Sequence, residues 1–330
     1  MAMNQPSRFF ALFSHLGRGA VVGFAQVKEE PATRAGDTKQ NPLPPRVLAA
    51  LSLTLAFTLS GTSHALQVTD DRGLVVTFDK TPMRIVSLLP SLTETVCELG
   101  QCQRLVGVDR YSNFPASLQK LPQVGGGLDP NIEAIVALKP DVVLMAISSR
   151  AGERLQSLGI KVVALEPKTH ADVKRVLETI GQLLQVPDAQ RVWRVIDAGV
   201  LAAAQSLPAK VKNTRVYFEV NRAPYAAGEA SFIGETLTRL GAKNIVPASL
   251  GPFPKLNPEY VVRANPDVIM VGDRNYAGME GRPGWPGIRA IKERRVCVFT
   301  VEQSDVVVRP GPRMAEGARI MAQCLGDKSQ

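Results

Sequence analysis

Short apolar runs alternate with helix-patterned segments through most of this chain, and that alternation limits it to one kind of sheet. Residues 84–89, 105–108, 141–145 and 161–165 each read as buried strands. Ser91-x-x-Glu94 has the form of a capping box that opens a helix, with Gly100 as its stop. Asp129-Pro130 opens a second helix, ended by Lys139-Pro140, and residues 150–158 form a third. Strands that succeed one another through helices run parallel, with helices on both faces. A short strand-like lead at 74–78 precedes them. Residues 170–184 and 188–207 are then helical, and the second stretch carries no strand signal for about 20 residues, or about 30 Å. Alternation resumes at 214–220. The expected fold is α/β: two Rossmann-like lobes with parallel sheets (66–184 and 208–330), joined by a single long helix at 185–207.

The second lobe repeats the first. Glu94-Thr95 with Leu99-Gly100 matches Glu235-Thr236 with Leu240-Gly241 at the same spacing. Glu133 stands eight residues before Asp141 of Pro140-Asp141-Val142, and Glu259 stands eight before Asp267 of Pro266-Asp267-Val268. A helix dipole favours an acid in the first turn by about 0.3–1 kcal/mol. That preference explains an acid at each place but not the shared register, which points to duplication of a lobe.

Composition fits a chain that buries a real core, with 45% hydrophobic and 21% charged residues. The net charge of +9 comes from 39 basic against 30 acidic residues with no basic run, so nucleic acid is not an expected partner. Arg46 precedes an uncharged stretch, 47–59, too short to span a bilayer, and Ser63 and Ala65 fit a signal-peptidase site. We therefore expect residues 1–65 to be an N-terminal extension plus signal peptide, cut after Ala65, and the rest to be periplasmic. In an oxidising compartment Cys97–Cys102 and Cys297–Cys324 are the economical pairs, although four cysteines allow three pairings.

Catalytic patterns are missing. Gly125-Gly126-Gly127 lacks the spacing of a nucleotide loop, and no Gly-x-Ser-x-Gly occurs. The exported part has one histidine, His170, read as a surface residue at a helix start, and no Cys-x-x-Cys. No catalytic residues, no metal site and no cofactor are expected. An exported two-lobed protein of this kind is a binding protein, its ligand held between the lobes at the carboxyl ends of the strands.

Three segments carry a family likeness: Arg84-Ile85-Val86-Ser87-Leu88-Leu89-Pro90-Ser91, Gly107-Val108-Asp109-Arg110-Tyr111-Ser112-Asn113-Phe114-Pro115, and Ile135-Val136-Ala137-Leu138-Lys139-Pro140-Asp141. From about residue 83 onward the chain resembles the helical-backbone periplasmic substrate-binding proteins of ABC importers, and most of all their cobalamin-binding branch. The resemblance implies no enzyme but a monomeric receptor that hands a corrinoid to a permease dimer in the inner membrane. It assigns ligand contacts to Tyr111, Tyr225, Phe253, Asp305 and Arg309, and permease docking to Glu133 and Glu259. A family tryptophan falls at Gly127, and Trp285 is the expected replacement wall. The family disulfide has Leu240 where its first cysteine would be, which leaves Cys324 to find Cys297. Haem or an iron–siderophore is the alternative cargo, with Tyr111 as a possible haem ligand. A chelatase-like enzyme is the remaining reading, and it would need a titratable cluster in the cleft.

Overall fold

In a computed structural model the described residues are 65–222 and 224–329, so the expected extension and apolar segment 47–59 lie outside them. The first lobe contains β1 (Leu66–Thr69), β2 (Val75–Phe78), β3 (Ile85–Ser87), α1 (Pro90–Glu98), β4 (Leu105–Val108), α2 (Ile132–Ala137), β5 (Val142–Met145), α3 (Gly152–Ser157), β6 (Val162–Ala164) and α4 (His170–Leu184). Helix α5 (Gln190–Gln205) follows. The second lobe contains β7 (Arg215–Asn221), β8 (Tyr225–Ala226), α6 (Phe232–Arg239), β9 (Lys243–Asn244), α7 (Pro258–Ala264), β10 (Val268–Gly272), α8 (Asp273–Tyr276), α9 (Arg289–Lys292), β11 (Val296–Phe299), α10 (Val301–Val307) and α11 (Met314–Lys328).

The first sheet is parallel in the order β4-β3-β5-β6. The second repeats that order as β9-β7-β10-β11, again parallel. It adds β8, antiparallel to β7. The repeat extends to side chains. Arg84 N–H donates to Asp141 Oδ2 at 2.9 Å, and Arg215 N–H donates to Asp267 Oδ2 at 3.0 Å. Asp141 and Asp267 return backbone hydrogen bonds to the Arg84 and Arg215 carbonyls, both 2.8 Å. The Arg84 guanidinium covers the carbonyls of Leu138 and Lys139 after α2, and Arg215 covers those of Ala264 and Asn265 at the end of α7. A cation there satisfies carbonyls left without partners at a helix C-terminus. Lys139 and Asn265 share a left-handed φ of 46° and 45°. The duplicated Pro-Asp-Val phrase thus marks a duplicated joint between strand and helix.

One apolar core runs through both lobes. It includes Leu92 and Val96 of α1, Val176 and Ile180 of α4, Ile196 and Val200 of α5, Leu237 of α6, and Met321 and Leu325 of α11. Val192, Ile196, Val200 and Ala203 form the buried stripe of α5, recurring at helical spacing. Burying each valine or isoleucine of this stripe stabilises the fold by roughly 1.5–3 kcal/mol. A Cβ on Gly199 would lie 2.6 Å from Ala315 Cβ, so this glycine permits the close approach of α5 and α11. The connecting helix has 16 residues, about 24 Å, and is shorter than the 188–207 stretch suggested. Both economical disulfides form: Cys97–Cys102, and Cys297–Cys324 tying β11 to α11.

Three local expectations are corrected. Helix α1 begins at Pro90 with Leu89 as N-cap, and Ser91 lies inside its first turn. Glu94 therefore does not close a capping box; its partner comes from the other lobe. The cap of α2 is Asn131, whose side chain accepts from Ala134 N–H at 2.9 Å, while Asp129 pairs with Arg110. Glu133 remains in the first turn. His170 is not a surface residue but is buried where the lobes meet.

There, His170 N–H donates to Glu235 Oε2 of α6 at 2.6 Å, and Phe232 N–H donates to Lys168 O at 2.7 Å. Arg239 faces His170 Nδ1 at 3.3 Å, which leaves Nδ1 as the acceptor. The ring proton then sits on Nε2, 2.8 Å from Thr236 Oγ1 and 3.1 Å from Phe232 O. Burial lowers the His170 pKa to about 4, with Arg239 adding to the effect and the Phe232 carbonyl and Asp197 opposing it. The unfolded chain takes up this proton near pH 6.5 and the folded one only near 4. Stability therefore falls as the pH drops through that window. We expect urea-unfolding midpoints to decline between about pH 6.5 and 4, and His170→Gln to flatten that decline; an unchanged slope in the variant would refute the assignment.

Candidate functional site

The loop after β4 is set from below. Asp109 is fully buried, its Oδ1 accepts from Tyr111 N–H at 2.8 Å and its Oδ2 accepts from Ser112 Oγ at 2.5 Å. Thr93 of α1 joins Ser112 to Ser87 through two contacts of 2.8 Å. Burial pushes the Asp109 pKa up to about 6, with the Ser112 and Tyr111 hydrogen bonds working against it. This chain of hydroxyls fixes where Tyr111 and Asn113 emerge.

Arg309, just beyond α10, reaches this loop from the second lobe. It is 3% exposed. Its guanidinium donates to Glu94 Oε1 at 2.7 Å, Asn113 Oδ1 at 2.9 Å and the Tyr111 carbonyl at 3.0 Å. Asp305, one turn earlier, lies 3.0 Å from Arg309 Nη2 and accepts from Asn113 Nδ2 at 2.8 Å. Burial raises the Glu94 pKa and Arg309 opposes the rise. Three of the expected contacts, Tyr111, Asp305 and Arg309, are thus brought together. Arg309, however, is committed to protein partners and does not face an open cleft. Asn113 and Glu94 complete the cluster and were not expected from the sequence. Glu94 occupies the same register as Glu235, which also pairs across the lobes, and that correspondence was the available signal.

Tyr225 and Phe253 lie on neighbouring segments. Ala226 N–H donates to Pro254 O at 3.0 Å and Gly228 N–H to Pro252 O at 2.8 Å. Tyr225 is half-buried, whereas Phe253 is 4% exposed with its ring 6.2 Å from that of Phe232. Phe253 is therefore mainly core. Trp285 is corrected outright. It is fully buried against Tyr217, under the Arg282 guanidinium at 4.5 Å, in the cluster that includes Ile269 and Val271. A ring sealed in this way cannot be a pocket wall. Nor can Gly127 regain the family side chain, because a Cβ there would sit 2.7 Å from the Leu88 carbonyl.

Glu133 and Glu259 are exposed and hold the second helical position of α2 and α7. Among the described residues neither side chain makes an ion pair or hydrogen bond. Both are available to basic groups on a partner, and the duplicated joints place them equivalently in the two lobes.

A surface depression of about 510 Å³ lies elsewhere, lined by Arg215, Lys243, Tyr260 and Arg263 among others, and it shares no residue with the expected site. Among the described residues no group of three or more His, Cys, Asp or Glu could hold a metal ion, and no helix is long and apolar enough to cross a membrane. The site's acids are each tied to donors that orient neighbouring groups. The cluster presents Tyr111, Asn113 and Asp305 at the surface.

A family model for periplasmic binding proteins matches residues 85–301. An uncharacterized ABC transporter substrate-binding lipoprotein of Bacillus subtilis, YvrC, is 31% identical over 265 residues, covering 76% of this chain and 82% of the relative. The vitamin B12-binding protein of Salmonella typhimurium is 31% identical over 250 residues, 73% of this chain and 90% of that one. A periplasmic haem-binding protein from Pseudomonas aeruginosa is 25% identical, with a TM-score of 0.63 over 76% of this chain and 94% of that one.

Removing one member of a buried ion pair leaves the other charge without its partner, at a cost of roughly 3–5 kcal/mol. Glu94→Ala should lower the unfolding free energy by an amount in that range. Denaturant titration checks this, and a loss under about 1 kcal/mol would mean that Asp305 and Asn113 hold Arg309 without help.

Proposed function

The chain belongs to the periplasmic binding protein family, and from that membership we propose that it captures cobalamin or a related corrinoid between its lobes and delivers it to an ABC permease. One observation carries the choice of cargo. Arg309 is the only buried lysine or arginine among the described residues, and Glu94 and Asp305 already neutralise it. The nearby Arg110 and Arg313 are likewise paired, with Asp129 and Glu316. Haem presents carboxylates, which need cations. A corrinoid presents uncharged amides around a broad ring, and these suit paired charges, carboxylate oxygens and an aromatic face. Vitamin B12-binding relatives that match along most of the chain support the same reading. In it, Arg309 serves by holding Tyr111 and Asn113 in place and leaves direct contact to them and to Asp305. Haem is the second reading, favoured by the haem-binding neighbour and by Tyr111 as a possible ligand.

The remainder of the reading concerns delivery. The protein works as a periplasmic monomer freed of its signal segment. Glu133 and Glu259 dock onto two equivalent basic sockets of a two-fold permease in the inner membrane. Rim charges of this kind govern on-rate and register more than affinity.

Calorimetric titration of residues 66–330 with cobalamin, cobinamide and haem tests the cargo. Saturable binding of a corrinoid at one per chain is expected, and binding of haem alone would overturn the proposal. In cells, Glu133→Ala with Glu259→Ala should leave calorimetric binding within about twofold while uptake falls; normal uptake would remove the docking assignment.

A further inference from the structure

A buried polar atom without a partner forfeits about 1–3 kcal/mol, so a concentration of such atoms needs a reason. Three of them lie on the two loops that follow β5 and β6: Ser148 Oγ, Ser149 Oγ and Glu166 Oε1. The two loops are in contact, because Ser148 N–H points to Glu166 Oε2 at 3.3 Å. Glu166 is 4% exposed, while Ser148 and its neighbour Ile147 are half-buried.

Glu166 differs from every other buried carboxylate among the described residues. Asp70 has Arg72, Glu94 has Arg309, Asp109 has Ser112, and Glu219 has Arg282 and Tyr217. Glu166 has no side-chain donor, only the backbone N–H groups of Ser148 and Ile147. Burial raises its pKa, and Lys168 opposes this without forming an ion pair. The Glu166 backbone is held separately, its N–H donating to Asp71 Oδ2 at 2.8 Å.

We propose that Glu166, Ser148 and Ser149 form a ligand subsite for a primary carboxamide, an inference that rests on the corrinoid reading. The chemistry matches group by group. An amide NH₂ donates to the acceptor-only carboxylate, and the amide carbonyl accepts from a serine hydroxyl. A ligand carboxylate at the same place would bring two like charges together in a partly buried site. The subsite therefore selects the fully amidated corrinoid against forms in which one peripheral amide has been hydrolysed. Sites built around a specific hydrogen bond discriminate strongly, because the wrong ligand leaves buried groups unpaired.

The test uses residues 66–330, cobalamin, and its separate monocarboxylate derivatives, each with one peripheral amide hydrolysed. The wild-type protein should bind cobalamin at least tenfold tighter than one of the derivatives. Glu166→Gln keeps the shape and an acceptor but adds a donor, so it should bring that ratio to within about threefold while melting at the wild-type temperature. Ser148→Ala with Ser149→Ala should weaken cobalamin itself by about tenfold. A wild-type protein that binds cobalamin without discriminating, or a Glu166→Gln variant with an unchanged ratio, overturns the subsite alone. A wild-type protein that binds no corrinoid overturns both the cargo reading and the subsite.

Discussion

Everything at the cleft depends on the apolar core that passes without interruption from one lobe to the other. Residues of α1, α4, α5, α6 and α11 belong to a single buried cluster, so the lobes are joined through packed side chains as well as through the chain. Packing at interior density resists shifts of even a methylene, and so fixes the spacing between the two sheets. Arg309 can reach Glu94 and the Tyr111 carbonyl only because that spacing holds. His170 can be both buried and neutral for the same reason.

Given that spacing, electrostatics decides what the cleft can recognise. A charge removed from water must be compensated locally. Arg309 is compensated by Glu94 and Asp305. Asp109 is compensated by hydroxyl and amide donors. These interactions bind the loops to one another and pair the charges around Arg309.

Much of the fold was legible because it rests on periodicity. The parallel sheets, the strandless connecting helix and the eight-residue register of Glu133 and Glu259 are all local patterns repeated along the chain. The errors share one cause. Ser91-x-x-Glu94 satisfies the local rule for a capping box, but Glu94 gains more from a buried cation 215 residues away. His170 resembles an ordinary helix-start residue until α6 is placed against it. Trp285, the expected pocket wall, lies in a proline- and glycine-rich loop, yet it folds back beneath Arg282 to complete the second lobe's core. Asn131 competes with Asp129 two residues apart, and the cap goes to Asn131 because Asp129 has Arg110. Long-range partners cannot be read from a single segment, and the site is made largely of them.

Strand β8 breaks the duplication, since the first sheet contains no counterpart among the described residues. Two matching walls would let a lopsided guest settle either way up with equal ease, an ambiguity worth RT ln 2, or about 0.4 kcal/mol. With β8 and Tyr225 on one side only, the mouth is handed. A molecule held between the lobes, as proposed, would meet two unlike faces.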